Sequence, residues 1–586
     1  MTVTATARPD RDPLRILLLA DDQKGHAGTI HDHIQAFVRH SRHAVTLFNP
    51  RGLDRSRVVD FDAFDVVVIH YSLIIISDAY LPPWFRDQIA RFPGLKVQFL
   101  QDEYRWVDAV TSMMRNLGID VLFSVVPPAS VKAIYGTRLP DTEVVLTLTG
   151  YVSDDLRKAS RHVPERSARP IDVGYRGRSV PFWLGRLGHE KVEIGRRFLR
   201  EVAGTGLRCD IEWTERERIY GGRWLRFVSS CRATLASESG SSIVDFDGSA
   251  ERSIQTYLKT HPLAEYEDVE RDVLGARLDG VSINAISPRI FEAGALRTAL
   301  VMFPGEYSDV VQPEEHYIVL EKDFSNIDSV VAQLRDDTSL DAMVERAYRD
   351  LIESGRFSFR SFVAEFDEVV ERRAPRTRRR PQGRVPTRVA LRSEELAAGS
   401  AYLTSSLYGL ARRLVVVSLG SWYVLRTGPQ RRLARAVAAS SDRGRWIWHD
   451  LFRLGIATKA HEDAGAAGAP GFDIEPTFDD GCLMLTSTNG ALAPPPDDDL
   501  ERRVRDALTS GRLNEIVWNH TAVGQFIRFA LPPTRRHMHF DIGQYDSYGI
   551  YRFHSLVEFG RRRPTLVMDV LAPLLSPVDS RARGGG

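Results

Sequence analysis

At 586 residues, 43% hydrophobic and 26% charged, the chain is soluble in character and too long for one hydrophobic core, which suggests about three or four domains. A net charge of +1 gives no global field to attract nucleic acid. Three scattered cysteines, Cys209, Cys231 and Cys482, exclude a disulfide framework or a zinc site and fit a reducing cytoplasm.

Only eight of the 78 basic residues are Lys, a bias that points to a GC-rich bacterial genome rather than to a function. Residues 1–13 lack an apolar stretch and read as a disordered leader, not a secretory signal. No run of about 18 apolar residues is present, so no transmembrane helix is expected.

A first domain is expected over residues 14–165. Residues 15–20 (RILLLA) form a short, continuously apolar run, the mark of a buried parallel strand. Further strands are expected at 44–49, 66–70, 96–100, 120–126 and 142–147, with helices at 29–39, 84–91 and 128–135 between them. Strand and helix in alternation imply a doubly wound parallel sheet with ligands at its carboxyl edge.

A second α/β domain is expected over residues 166–371. It opens with IDVGYRGR (171–178), followed by a helix around 190–202, a strand at 209–213, a helix at 222–231 and a loop, SGSSIVDFDG, at 239–248. The next stretch, 287–337, carries the most information. Ser287-Pro288 opens a helix, residues 299–303 form an apolar strand, and a polar loop with Asp309 leads to a strand at 317–320 and an amphipathic helix from 325. In the first of these helices Arg289 and Glu292 lie on one face, three residues apart. A carboxylate can accept from both hydroxyls of a vicinal diol, and a helix N-terminus favours phosphate. The other reading is a plain αβαβ piece with a surface Glu.

Residues 372–392 are rich in Arg and Pro and read as a linker. Residues 393–461 look helical, 461–471 form a second flexible linker, and 472–580 mix strands (482–486, 565–570) with a helix at 498–510 as a small α/β module. Within the helical part, the apolar run 414–425 is flanked by Arg and bears Trp422 and Tyr423. It suits either a core helix or an interfacial one at the inner membrane surface.

The stretch RIFEAGA (289–295), with the following GEYSD…EEHYIVL, resembles the nucleotide-sugar half of glycosyltransferases with the two-Rossmann GT-B architecture, especially the bacterial spore-maturation type. The resemblance covers about the first 375 residues. It implies two Rossmann-like domains and a Glu292 that holds the ribose hydroxyls of a nucleotide-sugar donor. It also implies that the closing helix 358–370 packs back on the first domain. Two departures stand out: Asn284 replaces the Glu that touches the sugar in many retaining relatives, and Arg297 replaces a usual Gly.

Donor diphosphate needs cations. Arg176, Arg178, Arg186 and Lys191 are candidates, with Arg178 and Lys191 foremost, and Gly185-Arg186-Leu187…Lys191 is similar to a pyrophosphate-holding element of GT-B enzymes. Ser239 and Gly240 suit hydroxyl or phosphate contacts, or an ordinary turn. In the first domain, the loop 21–29 (DDQKGHAGT) lacks the dinucleotide-binding glycine pattern. Asp21-Asp22 suggests a phospho-receiver domain, but the third strand ends in His70, not Asp. Gly25, His26 and Gly28 suit a close approach to an acceptor or phosphate, or a plain turn. His70 is a candidate base or sugar-orienting group, or a structural histidine. Asp102 and Glu103 follow the next strand as candidate bases, with helix capping by Asp102 as the other reading.

Asp60-Phe61-Asp62 precedes a strand rather than following one, and His537 and His539 lack companion ligands, so no metal and no cofactor are expected. The expected activity is sugar transfer to a glycan or lipid-linked saccharide in the cytoplasm, without nucleic acid. A catalytically inactive nucleotide- or glycan-binding scaffold, and a GT-B sugar-nucleotide epimerase or phosphorylase, are the alternatives.

Overall fold

The computed structural model describes residues 12–22, 28–51, 59–78, 80–214, 217–219, 221–261, 264–275, 277, 280–374, 428–438, 450–451, 453–455, 457–458, 473–479, 481–488, 499–519 and 550–575. Gly25, His26, most of the Arg/Pro-rich linker, the apolar run 414–425, and His537 and His539 lie outside the described residues. By contacts the chain divides into two compact units: Met1–Ile254 with Glu265–Tyr402, and Gln255–Ala264 with Leu403–Gly586.

The first unit holds two parallel sheets. Strands β1 (Arg15–Leu19), β2 (Ala44–Phe48), β3 (Val66–Ile69), β4 (Leu95–Phe99), β5 (Val121–Ser124) and β6 (Glu143–Leu146) alternate with helices α1 (Gly28–His40), α2 (Pro83–Arg91), α3 (Val107–Leu117) and α4 (Pro128–Tyr135). The sheet order is β2-β1-β3-β4-β5-β6, all parallel, so the winding reverses between β1 and β3. All four residues of β3 are buried, as expected of a strand covered on both faces.

After α5 (Asp154–Ala159), the second sheet is built from β7 (Ile171–Arg176), β8 (Cys209–Glu212), β9 (Cys231–Ala236), β12 (Ala299–Met302) and β13 (Ile318–Val319), in the order β13-β12-β9-β7-β8. Its pairings are also parallel. Helices α6 (Gly185–Glu201), α7 (Gly222–Ser229), α9 (Tyr266–Val269), α10 (Pro288–Ala295), α11 (Ile327–Arg335) and α12 (Asp337–Tyr348), with α8 (Ser249–Thr260) up to Ile254, complete the domain. The architecture is thus two Rossmann-like α/β domains.

Two local expectations change. The helix expected over 222–231 ends at Ser229, and Cys231 opens β9 instead. The loop expected at Ser239 and Gly240 is a short strand, β10 (Ser239–Ser241), paired antiparallel with β11 (Ile283–Ala285) so that Gly240 faces Asn284. Gly240 has φ +104°, and a Cβ there would lie 1.9 Å from the Ile283 carbonyl oxygen, so only glycine fits this crossing.

The last helix, α13 (Phe359–Arg373), returns to the first sheet, as the resemblance implied. The Ser358 hydroxyl caps it by accepting from the Ser361 N–H. Phe362 and Phe366 pack edge-on and tilted against Phe37 and Phe99. Asp367 accepts from the Ser41 hydroxyl at 2.7 Å and the Arg42 N–H at 2.9 Å. Phe366 is fully buried, so Phe366→Ala is expected to cost about 3–5 kcal/mol in urea unfolding of the first unit, whereas a loss under 1 kcal/mol would mean that this helix is not part of its core.

In the second unit, β14 (Asp473–Asp479), β15 (Cys482–Thr488), β16 (Glu515–Asn519) and β17 (Ile550–Arg552) form one mixed sheet in sequence order. Helices α14 (Gly428–Ala438), α15 (Leu500–Thr509), α16 (His554–Arg562) and α17 (Pro564–Leu575) accompany it. The strand expected at 565–570 is helical. Its buried residues Val567, Met568, Val570, Leu571, Leu574 and Leu575 follow helical spacing, which a short apolar window does not reveal. Among the described residues no helix is long and apolar enough to cross a membrane.

Candidate functional site

In open parallel sheets, ligands bind beyond the carboxyl ends of the strands, where the winding reverses. In the second sheet that place lies between β7 and β9. Strand β7 ends at Arg176 and leads to the exposed Arg178, while β9 ends at Ala236 and delivers the buried Glu238. Helix α6 brings Lys191 to the same edge, and α10 brings Arg289 and Glu292.

Lys191 Nζ donates to the Glu238 carbonyl at 2.7 Å. Burial first, and the Arg289 charge next, push its pKa down to about 8, against the pull of Glu190 and Glu238. The Arg289 guanidinium lies 4.7 Å over the Trp224 ring and donates to the Arg176 carbonyl. Among the described residues neither Lys191 nor Arg289 is ion-paired, although most of the arginines around them are.

Glu292 is largely buried, and its Oε2 accepts from the Trp224 indole N–H at 2.6 Å. Burial raises its pKa, the Trp224 bond and Arg289 lower it, and the negative charge of Asp32 on α1 raises it further. The second sheet's carboxylate therefore feels the first domain.

Glu238 ties this edge together. Its Oε1 accepts from the Glu306 and Tyr307 N–H groups at 2.9 and 3.0 Å, and its Oε2 accepts from Asn284 Nδ2 at 2.7 Å. The turn it holds has three successive left-handed residues, Tyr307, Ser308 and Asp309, at φ 45°, 55° and 57°. Such residues each cost about 1–2 kcal/mol, so the turn persists because Glu238 and the Ser308–Ile286 bond fix it. A carboxylate thus stands beside Asn284, but it comes from β9 and is occupied by the turn. Arg297, in the position expected for glycine, indeed has φ +50°. It is anchored by an ion pair to Glu345 at 2.6 Å and by stacking 3.7 Å over Tyr348.

The remaining expected cations are placed differently. Arg176 is committed to Asp210 at 2.7 Å and lies 4.2 Å over Phe227, and Arg186 pairs with Glu270. Arg178 bears electrostatically on Tyr104, whose hydroxyl donates to Asp102 at 3.0 Å, so it approaches the Asp102 loop of the first domain. The two domains meet there: the Asp245 N–H donates to the Tyr104 carbonyl at 2.8 Å, and Arg105 grips Glu251 with two bonds of 2.6 and 2.8 Å.

The three first-domain candidates separate. Asp102 is exposed. His70 is fully buried: the Ser72 N–H donates to its Nδ1 at 3.0 Å, which puts the proton on Nε2, bonded to His33 Nδ1 at 2.9 Å. Burial pushes His33 down to about 3, and rings of Phe37, Phe99 and Phe362 surround it, so His33 is neutral. Glu103 is enclosed, accepting from Ser124 Oγ at 2.6 Å, the Val125 N–H at 2.8 Å and the Tyr135 hydroxyl. Gly28 is the first residue of α1, and a Cβ there would meet nothing within 4 Å among the described residues. In the Asp60-Phe61-Asp62 stretch, Asp60 caps a short turn by accepting from the Asp62 N–H. Among the described residues no three His, Cys, Asp or Glu side chains gather as metal ligands.

Burial raises the Glu103 pKa to about 7, against the bonds that favour its charge. The folded state therefore holds a proton that the unfolded chain loses near pH 4.5, and this group's contribution to stability falls as pH rises from 4.5 to 7. Glu103→Gln removes that dependence. Its stability relative to the parent is expected to improve between pH 5 and pH 8, read as the difference in melting temperature at each pH. A melting-temperature difference that stays constant over this range would mean that Glu103 does not take up a proton on folding.

Trp224 and Glu238 were not singled out in the sequence. Glu238 lies within LASESGSSIVDFDG (235–248), after CRATLA (231–236), whose Arg232 and Thr234 break the apolar pattern, and nothing local marks Trp224.

No family model matches the chain, and no curated protein matches it. Among solved structures it is similar to an alpha-glucosyltransferase in complex with UDP-glucose and DNA containing an abasic site, at 13% identity, 61% coverage of this chain and 100% of that one, TM-score 0.38. It is similar to the DNA-modifying beta-glucosyltransferase at 10% identity, with 61% and 100% coverage and a TM-score of 0.37. It is also similar to Anabaena HepE in complex with UDP at 11% identity, with 61% and 100% coverage and a TM-score of 0.34.

Proposed function

We propose that the chain is a metal-independent GT-B glycosyltransferase that moves a sugar from a nucleotide diphosphate donor to a glycan or lipid-linked saccharide. The observation that carries this reading is the unpaired couple Lys191 and Arg289 beside the buried carboxylate of Glu292. Two cations that make no ion pair among the described residues call for an anionic ligand, and the adjacent carboxylate suits a diol. A nucleoside diphosphate carries both. When the acceptor oxygen bonds to the anomeric carbon, the bond from that carbon to the diphosphate breaks. The electron pair leaves with the diphosphate, where Lys191 and Arg289 offset the growing charge. The acceptor proton passes to a base on the first domain. Asp102 is the exposed carboxylate of the three candidates there. Closure of the two domains would exclude water, which otherwise hydrolyses the donor. The Arg-over-Lys bias and the scattered cysteines support a bacterial, cytoplasmic setting, and the proposed glycan acceptor would place the reaction in polysaccharide biosynthesis.

The test is a thermal-shift panel of UDP-, GDP-, ADP- and dTDP-sugars, followed by donor hydrolysis with the best binder. Stabilisation by one nucleotide class and slow release of free sugar are expected. Binding without any release favours the inactive scaffold, and no stabilisation by any nucleotide sugar overturns the reading.

A further inference from the structure

Helix α7 lies beside α10 and carries one half-buried aromatic, Trp224, toward the ligand residues. Its indole N–H is bonded to Glu292 Oε2 at 2.6 Å, and its ring face carries the Arg289 guanidinium at 4.7 Å. One side chain thus touches both the carboxylate and a cation of the site. A carboxylate accepts at two oxygens, and Trp224 occupies only one of them. We infer that Trp224 is a positioning residue of the donor site: its N–H fixes Glu292 with Oε1 left for the ribose diol of a nucleoside diphosphate sugar, and its ring sets Arg289 beside the diphosphate. The inference rests on the proposed donor site and adds the element that aims it.

The charged groups bearing on Glu292 are Arg289 on its own helix and Asp32 on α1. Arg289 favours the ionised carboxylate, while burial and Asp32 oppose it. The Trp224 bond adds to the Arg289 side, so losing the N–H should move the acid limb of donor binding to higher pH. The alkaline limb belongs to Lys191 and should stay where it is.

Trp224→Phe keeps a ring under Arg289 and removes the N–H. The probe is the nucleotide sugar that stabilises the parent protein most in the panel, chosen because its diester diphosphate does not titrate between pH 5 and 9. Calorimetry over that range is expected to show affinity about tenfold lower at pH 6, a smaller loss at pH 8 and an unchanged alkaline limb. In a Glu292→Gln background the same change should shift no acid limb, because the amide does not titrate. Should Trp224→Phe fail to fold, the indole N–H resonances of the parent protein give the readout. One of them should shift with pH along the acid limb, and Glu292→Gln should abolish that shift. Equal affinity and an equal acid limb in folded Trp224→Phe, or no titrating indole, overturn the inference and leave Trp224 as packing. If the parent protein binds no nucleotide sugar, the donor-site reading falls and this inference with it.

Discussion

Glu292→Ala is expected to abolish donor binding while the fold survives. The carboxylate is the sole diol acceptor proposed in the site, and a hydrogen bond to a charged group contributes roughly 1.5–3 kcal/mol, so affinity should fall more than about tenfold. The fold should survive because α10 is held by other residues. Ile290, Phe291, Ala293 and Ala295 are buried on its inner face, and none of them changes. Removing Glu292 also removes a buried charge that Asp32 opposes. What remains is one unpaired indole N–H on a half-buried Trp224, which water can reach. Calorimetric titration with the best-binding nucleotide sugar, together with a thermal melt, decides the matter. Unchanged affinity in a folded variant would remove Glu292 from the site.

The first sheet was legible because its strands are continuous apolar runs between helical segments. Strand β3 is four buried aliphatic residues, and β1 is RILLL, so a parallel sheet covered on both faces follows from composition alone. Legibility fails where tertiary context overrides pattern. Strand β9 interleaves Arg232 and Thr234 with small residues and directly follows a helix, so the helix was carried into it. Strand β10 is Ser-Gly-Ser, with no strand propensity, and exists because β11 lies beside it. Residues 564–575 are helical although a six-residue window of them reads as a strand.

The candidate site divides along the same line. Arg289, Glu292 and Lys191 were readable because each sits in a motif local in sequence, and the sheet edge then gathers them. Trp224 is 68 residues from Glu292, and Glu238 is 68 residues from Glu306, so their contacts exist only in the fold. His70 illustrates the reverse case. Ending a strand at the carboxyl edge suggests a ligand position, but α1 lays His33, itself packed against Phe37, on it and turns it into core. Glu103 is similar: its loop folds inward onto Ser124 and Tyr135, while its neighbour Asp102 faces out.

Donor binding should weaken as pH rises from 7 to 9, because Lys191 loses its proton in that interval. With a pKa of about 8 in the folded protein, the amine is mostly charged at pH 7 and mostly neutral at pH 9. If only the charged form grips the diphosphate, affinity drops about tenfold across the interval, while the diester diphosphate keeps its own charge throughout. The same group has the opposite effect on the ligand-free fold. An unfolded Lys titrates near 10.5, so between about 8 and 10.5 the unfolded chain binds the extra proton and stability rises with pH. Below about 8 the folded state carries the full cost of a desolvated cation with no ion pair among the described residues. Opposite slopes for binding and for stability are therefore the signature of a cation held in place for an absent anion. Lys191→Met should bind the donor weakly at pH 7 and show a flat profile to pH 9, and it should melt higher than the parent at neutral pH. A parent profile that is flat from pH 7 to 9, or a variant that keeps the slope, would assign the diphosphate contact to Arg289 and Arg178 instead.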